Sequence, residues 1–68
     1  MNLQQIAAKH KVSENFLQSR EDALNISAAS IDDLIFEIRK GSLEQEQLIY
    51  KLQKLRNFMA DVRTSTFG

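Results

Sequence analysis

From residue 43 onward, apolar side chains recur at a helical interval. Leu48, Leu52, Leu55, Met59 and Val62 follow at steps of four, three, four and three, which aligns them on one face of a helix over about 43–63. Phe58 falls beside that stripe, whereas Lys54 and Arg56 fall off it. The preceding stretch carries a matching pattern. Leu17, Leu24, Ile31 and Ile38 are seven residues apart, with Ala28, Leu34 and Ile35 filling the same face. That register survives a second capping signal at Ser30-Ile31-Asp32-Asp33, so one continuous helix over about 14–40, roughly 40 Å long, is expected. Leu3, Ile6, Ala7 and His10 make a shorter stripe and predict a helix over about 2–10. Alone it is marginal, so it is expected to fold back over the open end of its longer neighbours. The connecting turn falls near Lys11-Val12, with Ser13 as the cap of the helix that follows.

The sharpest boundary is Gly41-Ser42. Arg39 and Lys40 suit the negative end of a helix, and Gly41 takes a left-handed conformation at low cost. Ser42-Leu43-Glu44-Gln45 then reads as a capping box, with Gln45 reaching back to the Ser42 amide. One helix stops and another starts, which predicts an antiparallel helical hairpin. Reflection through this turn brings Asp32 and Asp33 toward Lys51 and Lys54, and Glu21 toward Arg63. The fold class is therefore all-α: a hairpin of helices at about 14–40 and 43–63 with a short N-terminal helix, forming one domain over 1–68. The last five residues, 64–68, are poor helix formers and are expected to fray.

Composition supports this picture and narrows the chemistry. The chain has 68 residues, no Pro and two Gly, which leaves few breaks and favours long helices. It has no Cys, so disulfides and thiol chemistry are excluded. Nine basic residues balance nine acidic ones, giving no net field toward nucleic acid or membrane. The start of the chain has no apolar run of signal-peptide type, because Lys9 interrupts Ile6-Ala7-Ala8, and a cytoplasmic, soluble protein without membrane association is expected.

Four apolar residues miss the stripes. Phe36, Ile49 and Tyr50, with Leu43, gather near the turn, beyond the reach of a short N-terminal helix that starts at the far end. They form the candidate partner-binding patch, since a contiguous exposed apolar surface marks a contact site. Burial through helix curvature is the competing structural explanation. Arg20 has the opposite oddity, lying within an apolar stripe; its stem is expected to pack on neighbours while its head reaches solvent or Asp61.

Catalytic chemistry finds no framework. His10 is the single histidine, and nothing resembles an oxyanion hole or a phosphate-cradling loop. One His without Cys offers no metal set. Asp33 and Glu37, four apart, read as a solvated acidic face opposite Lys51 and Lys54. No enzyme activity, cofactor or small-molecule substrate is expected.

Three resemblances bear on function. Ile6-Ala7, Val12-Ser13 and Leu17 resemble the spacing of a helix-turn-helix DNA-binding motif over about residues 3–20, although Lys11 stands where Gly is usual. The resemblance implies that Glu14, Asn15, Gln18 and Ser19 face the groove, that Asn15 or Gln18 contacts adenine, and that Lys9 and Lys11 contact phosphates. Glu14 would repel phosphate. Glu37-Ile38-Arg39-Lys40-Gly41 followed by Gln45 resembles the turn of the small co-chaperones that hold type III secretion needle subunits. Leu34, Glu37, Leu43, Glu46, Leu48 and Leu52 are similar to the helical dimerisation motif of Sin-type repressors and antirepressors. Both hairpin resemblances imply a small α-hairpin that buries an apolar face against protein.

Two helices alone leave each other an uncovered side. The expected function is thus a non-enzymatic protein–protein interaction module, an adaptor, co-chaperone or regulator, acting through an apolar helix face on itself as a dimer or on a larger partner. A small DNA-binding regulator using residues 3–20 is the alternative.

Overall fold

A computed structural model describes residues 1–65, and every described element is helical. Helix α1 spans Leu3–His10, a short 3-10 turn covers Glu14–Phe16, α2 spans Arg20–Lys40 and α3 spans Gln45–Arg63. Helix α1 begins in a capping box: the Asn2 side chain accepts from the Gln5 amide, and the Gln5 side chain accepts from the Asn2 amide, each at 2.9 Å. It ends at Lys11, which takes the left-handed conformation at φ 56° and returns its amide to the last turn. Lys11 thus adopts the backbone geometry for which a turn usually recruits glycine.

The long helix starts six residues later than 14, and the reason is local. Ser13 makes no side-chain cap bond, and Glu14–Phe16 closes only a single 3-10 turn. The effective cap is Ser19, whose hydroxyl accepts from the Asp22 amide at 3.1 Å, while the Asp22 carboxylate accepts from the Gln18 amide at 2.9 Å. Reciprocal bonding of this kind holds residues 18 and 19 outside the helix. From Arg20 onward α2 is continuous to Lys40, through Asn25-Ile26-Ser27 without a break.

At the hairpin turn, Gly41 is left-handed at φ 69°, and the Ser42 amide donates to the Glu37 carbonyl at 3.2 Å. The Ser42 hydroxyl donates to that same carbonyl, so Ser42 finishes α2 and does not begin α3. The capping box lies two residues further on, where the Glu44 and Gln47 side chains and backbones reciprocate. The Glu44 amide donates to Gln47 Oε1 at 3.2 Å, while the Ser42 hydroxyl is already committed to the end of α2.

The core sits at the open end of the hairpin. Ile6 and Ala7 of α1, Leu17 of the connecting segment, Ala23 of α2 and Phe58 of α3 form one buried cluster, flanked by Leu3, Val12, Ile26 and Val62. Ile6 is completely buried. The expected fold-back of the first helix is therefore observed, and it docks chiefly on α3. Toward the turn, Leu34 is the buried apolar residue. The result is an elongated molecule, 41 × 18 × 17 Å.

The apolar stripes do not interlock as expected. Leu24, Ile31, Ile35 and Ile38 of α2 are exposed, as are Leu52 and Met59 of α3. The residues that meet across the hairpin are smaller or fewer: Ala23, Ser27 and Leu34 on α2, and Phe58 on α3. Small side chains at 23 and 27 let the helices approach while Phe58 and α1 fill the space between them. Phe58, beside the predicted stripe, is thus its buried member, and Leu55 is only half-buried.

The predicted charge pairs are also redistributed. Lys51 bonds Glu37 at 2.8 Å. Asp33 lines the same groove as Lys51 and Lys54. Glu21 and Arg63 form no ion pair with one another among the described residues, and both are exposed. Thr64 and Ser65 continue the end of α3, with Ser65 buried and its hydroxyl donating to Val62 at 2.6 Å. The rest of the expected frayed tail, 66–68, lies outside the described residues.

Candidate interaction surface

Helix geometry turns the exposed stripes into a single face. At about 100° per residue, Ile38, Ile31, Leu24 and Ile35 lie about 40–100° around α2 from the buried Leu34. Leu55, Leu48, Met59 and Leu52 lie about 60–120° around α3 from the buried Phe58, in the same rotational sense. In antiparallel helices, rotation of the same sign leads to the same side of the pair. Both stripes therefore open on one side of the hairpin, and a groove of about 310 Å³ joins them where Leu24 of α2 faces Met59 and Val62 of α3.

The opposite sense of rotation leads to α1. Ile26, Ser30 and Glu37 of α2 and Lys54 of α3 line a groove of about 270 Å³ together with His10 and Val12. Here the α1 end is tied down by Asp61. Lys9 Nζ donates to Asp61 Oδ2 at 2.9 Å, and His10 Nε2 lies 2.7 Å from the same oxygen. The His10 ring also meets Phe58 edge to face, with centroids 5.3 Å apart. The bonds from His10 and then Lys9 hold the Asp61 carboxyl below its ordinary value of 3.8, against a smaller opposing effect of desolvation. Asp61 is thus engaged by α1 and not by Arg20, which lies instead beside the Leu24–Met59 groove.

The four residues of the predicted partner patch divide between surfaces. Leu43 and Tyr50 line a common groove at the turn with Glu46 and Gln47. Phe36 and Ile49 are exposed on the outer backs of α2 and α3, about 180–200° from the residues that meet across the hairpin. Lys40 covers the Phe36 ring at 5.1 Å, and Lys54 covers Tyr50 at 5.6 Å, so each aromatic is partly screened by a cation from its own helix. The larger contiguous apolar surface is the stripe face. Its periodicity was legible in the sequence, but as core.

The residues of the helix-turn-helix resemblance are arranged differently from a recognition helix. Asn15 lies in the 3-10 turn and Gln18 in the extended segment before α2. Lys9 is bonded to Asp61, and Lys11 is the left-handed turn residue. A groove-reading helix needs several turns with its first residues on the bases; here the helix starts at Arg20.

Among the described residues, no three His, Cys, Asp or Glu side chains cluster as metal ligands, and no helix is long and apolar enough to cross a membrane. Compared with protein-family models, curated proteins and solved structures, the chain matches none.

Proposed function

We propose that this protein is a non-enzymatic interaction module, an adaptor, co-chaperone or regulator, that works by covering an apolar helix face with protein. One observation carries the reading: two parallel rows of large aliphatic residues open on the side of the hairpin that α1 does not reach. Leu24 alone is 67% exposed. Scattered exposed hydrophobes need no explanation, but rows aligned on one two-helix surface amount to a contact patch. Leu43 and Tyr50 offer a second apolar contact at the turn, on the side of Glu37 and Lys51, and Phe36 and Ile49 offer further contacts on the backs of the hairpin.

The test is site-directed photo-crosslinking in the native cell, with the photoreactive side chain at Ile35 and, separately, at Phe36. Protein adducts at Ile35, whether to the same chain or to a larger one, support the reading. Absence of protein adducts at both positions refutes it. Adducts that vanish on nuclease treatment favour the DNA-binding alternative of residues 3–20.

A further inference from the structure

We infer that a second copy of this chain covers the face opposite α1, turned about a twofold axis parallel to the helices so that each α2 lies across the other copy's α3. The inference rests on the interaction-module reading and specifies its partner. The first argument is area. Leu24, Ile31, Ile35, Ile38, Leu52 and Met59 are between 42% and 67% exposed. Together they offer on the order of 500 Å² per copy, hence on the order of 1,000 Å² for two, which meets the minimum for a biological interface at the small, weakly associating end of the range. A four-helix arrangement is what antiparallel hairpins with one apolar face form when stacked. Both rows keep the four–three alternation that such packing requires, from Leu24 through Ala28, Ile31 and Ile35 to Ile38, and from Leu48 to Val62.

Charge selects the orientation. The outer flank of the α2 row carries Glu21 and Asp32, with Arg39 at its turn end, and that of the α3 row carries Arg56 and Arg63, all exposed. Within the hairpin, Leu24 and Ser27 lie level with Val62 and Met59, so residues at one height have numbers that sum to about 86. With the axis parallel to the helices, heights are conserved between copies. Asp32 then comes within about two residues, or roughly 3 Å along the axis, of Arg56 in the second copy, and Glu21 equally close to Arg63. An axis perpendicular to the helices through the middle of the face would set Asp32 near Asp32 and Arg56 against Arg56, and would offset these repulsions only by bringing Glu21 to Arg39. Complementary flanks favour the first arrangement, which also places both hairpin turns at one end.

The experiment uses the purified full chain. Sedimentation equilibrium is expected to give twice the 7.8 kDa of a single chain. The double variant L24S/I35S is expected to halve that mass while keeping the helical circular-dichroism signal, because both side chains are exposed in the single chain. E21R/D32R and R56E/R63E are each expected to be monomeric alone and to associate when mixed. Since the chain has no Cys, a spin label at S42C reads the orientation. Turns at one end give a separation on the order of 20 Å, and the reversed dimer more than about 30 Å. A wild-type chain that stays monomeric at its solubility limit overturns the second copy as occupant, and Ile35 adducts to a different protein would then leave the broader reading standing. A dimer insensitive to L24S/I35S overturns the face, and a long label separation overturns the orientation.

Discussion

Phe58→Ala is the substitution on which the description of the core most depends. Phe58 is 5% exposed and belongs to one buried cluster with residues of α1, the connecting segment and α2, while its ring meets His10 edge to face. Truncating a buried Phe to Ala costs about 3–5 kcal/mol, through lost transfer energy and the cavity left behind. A folded chain of this length holds roughly 3–10 kcal/mol in total. The expected outcome is therefore the loss of between about a third and all of the chain's stability, and Phe58→Leu, which keeps most of the volume, should lose only about 1–2 kcal/mol. Urea titration followed by circular dichroism at 222 nm reads both. It should be run at several concentrations, because self-association adds a concentration-dependent term. If Phe58→Ala unfolds within half a kilocalorie of wild type, the core is not where the structure puts it and α1 is not docked against α3.

Four further outcomes follow from single features. Ser19→Ala should cost about 1 kcal/mol as the loss of a helix cap, whereas Ser13→Ala, which removes no side-chain cap bond, should stay within experimental error in the same titration. Lys11→Gly should raise the melting temperature, since it relieves a left-handed conformation that costs a non-glycine residue about 1 kcal/mol; a lowered value would contradict the turn geometry. Gly41→Ala should destabilise for the mirror reason, because nothing crowds the added carbon and the penalty is purely that of φ at 69°. Asp61 is held below its ordinary value in the folded chain, so the unfolded form protonates first on acidification. Its contribution is complete at neutral pH, begins to fall near 3.8, and is gone below the depressed folded value. Melting temperatures recorded from pH 6 downward should show that decline in wild type and lack that component in Asp61→Asn.

Much of the fold was legible from residues with one strong local preference. Gly41 announced the hairpin turn through backbone conformation alone, and the stripe Leu3, Ile6, Ala7 announced α1. The start of α2 was not legible, because Ser13 and Ser19 carry the same capping chemistry and only Asp22, bonded back to Gln18, decides between them. The interaction surface was hidden for a different reason. A row such as Leu24, Ile31 and Ile38 announces that it will be covered, and says nothing about whether its own hairpin or another chain covers it. Ala23 and Ser27, unremarkable in sequence, rotate that row outward by giving α3 a smaller surface to approach. Leu43 and Tyr50 line one groove at the turn, whereas Phe36 and Ile49, close to them along the chain, sit on opposite backs.

The contact of His10 and Lys9 with Asp61 joins positions more than fifty residues apart. During synthesis, α1 leaves the ribosome well before Phe58 and Asp61, so only Leu17 and Ala23 of the core can meet it until the C-terminal half of α3 follows. The hairpin turn can form locally while the core waits for the last helix. Helix α1 and the C-terminal half of α3 consequently gain and lose order together. Amide protection at Ile6 should match that at Phe58, while the turn at Gly41 opens and closes on its own.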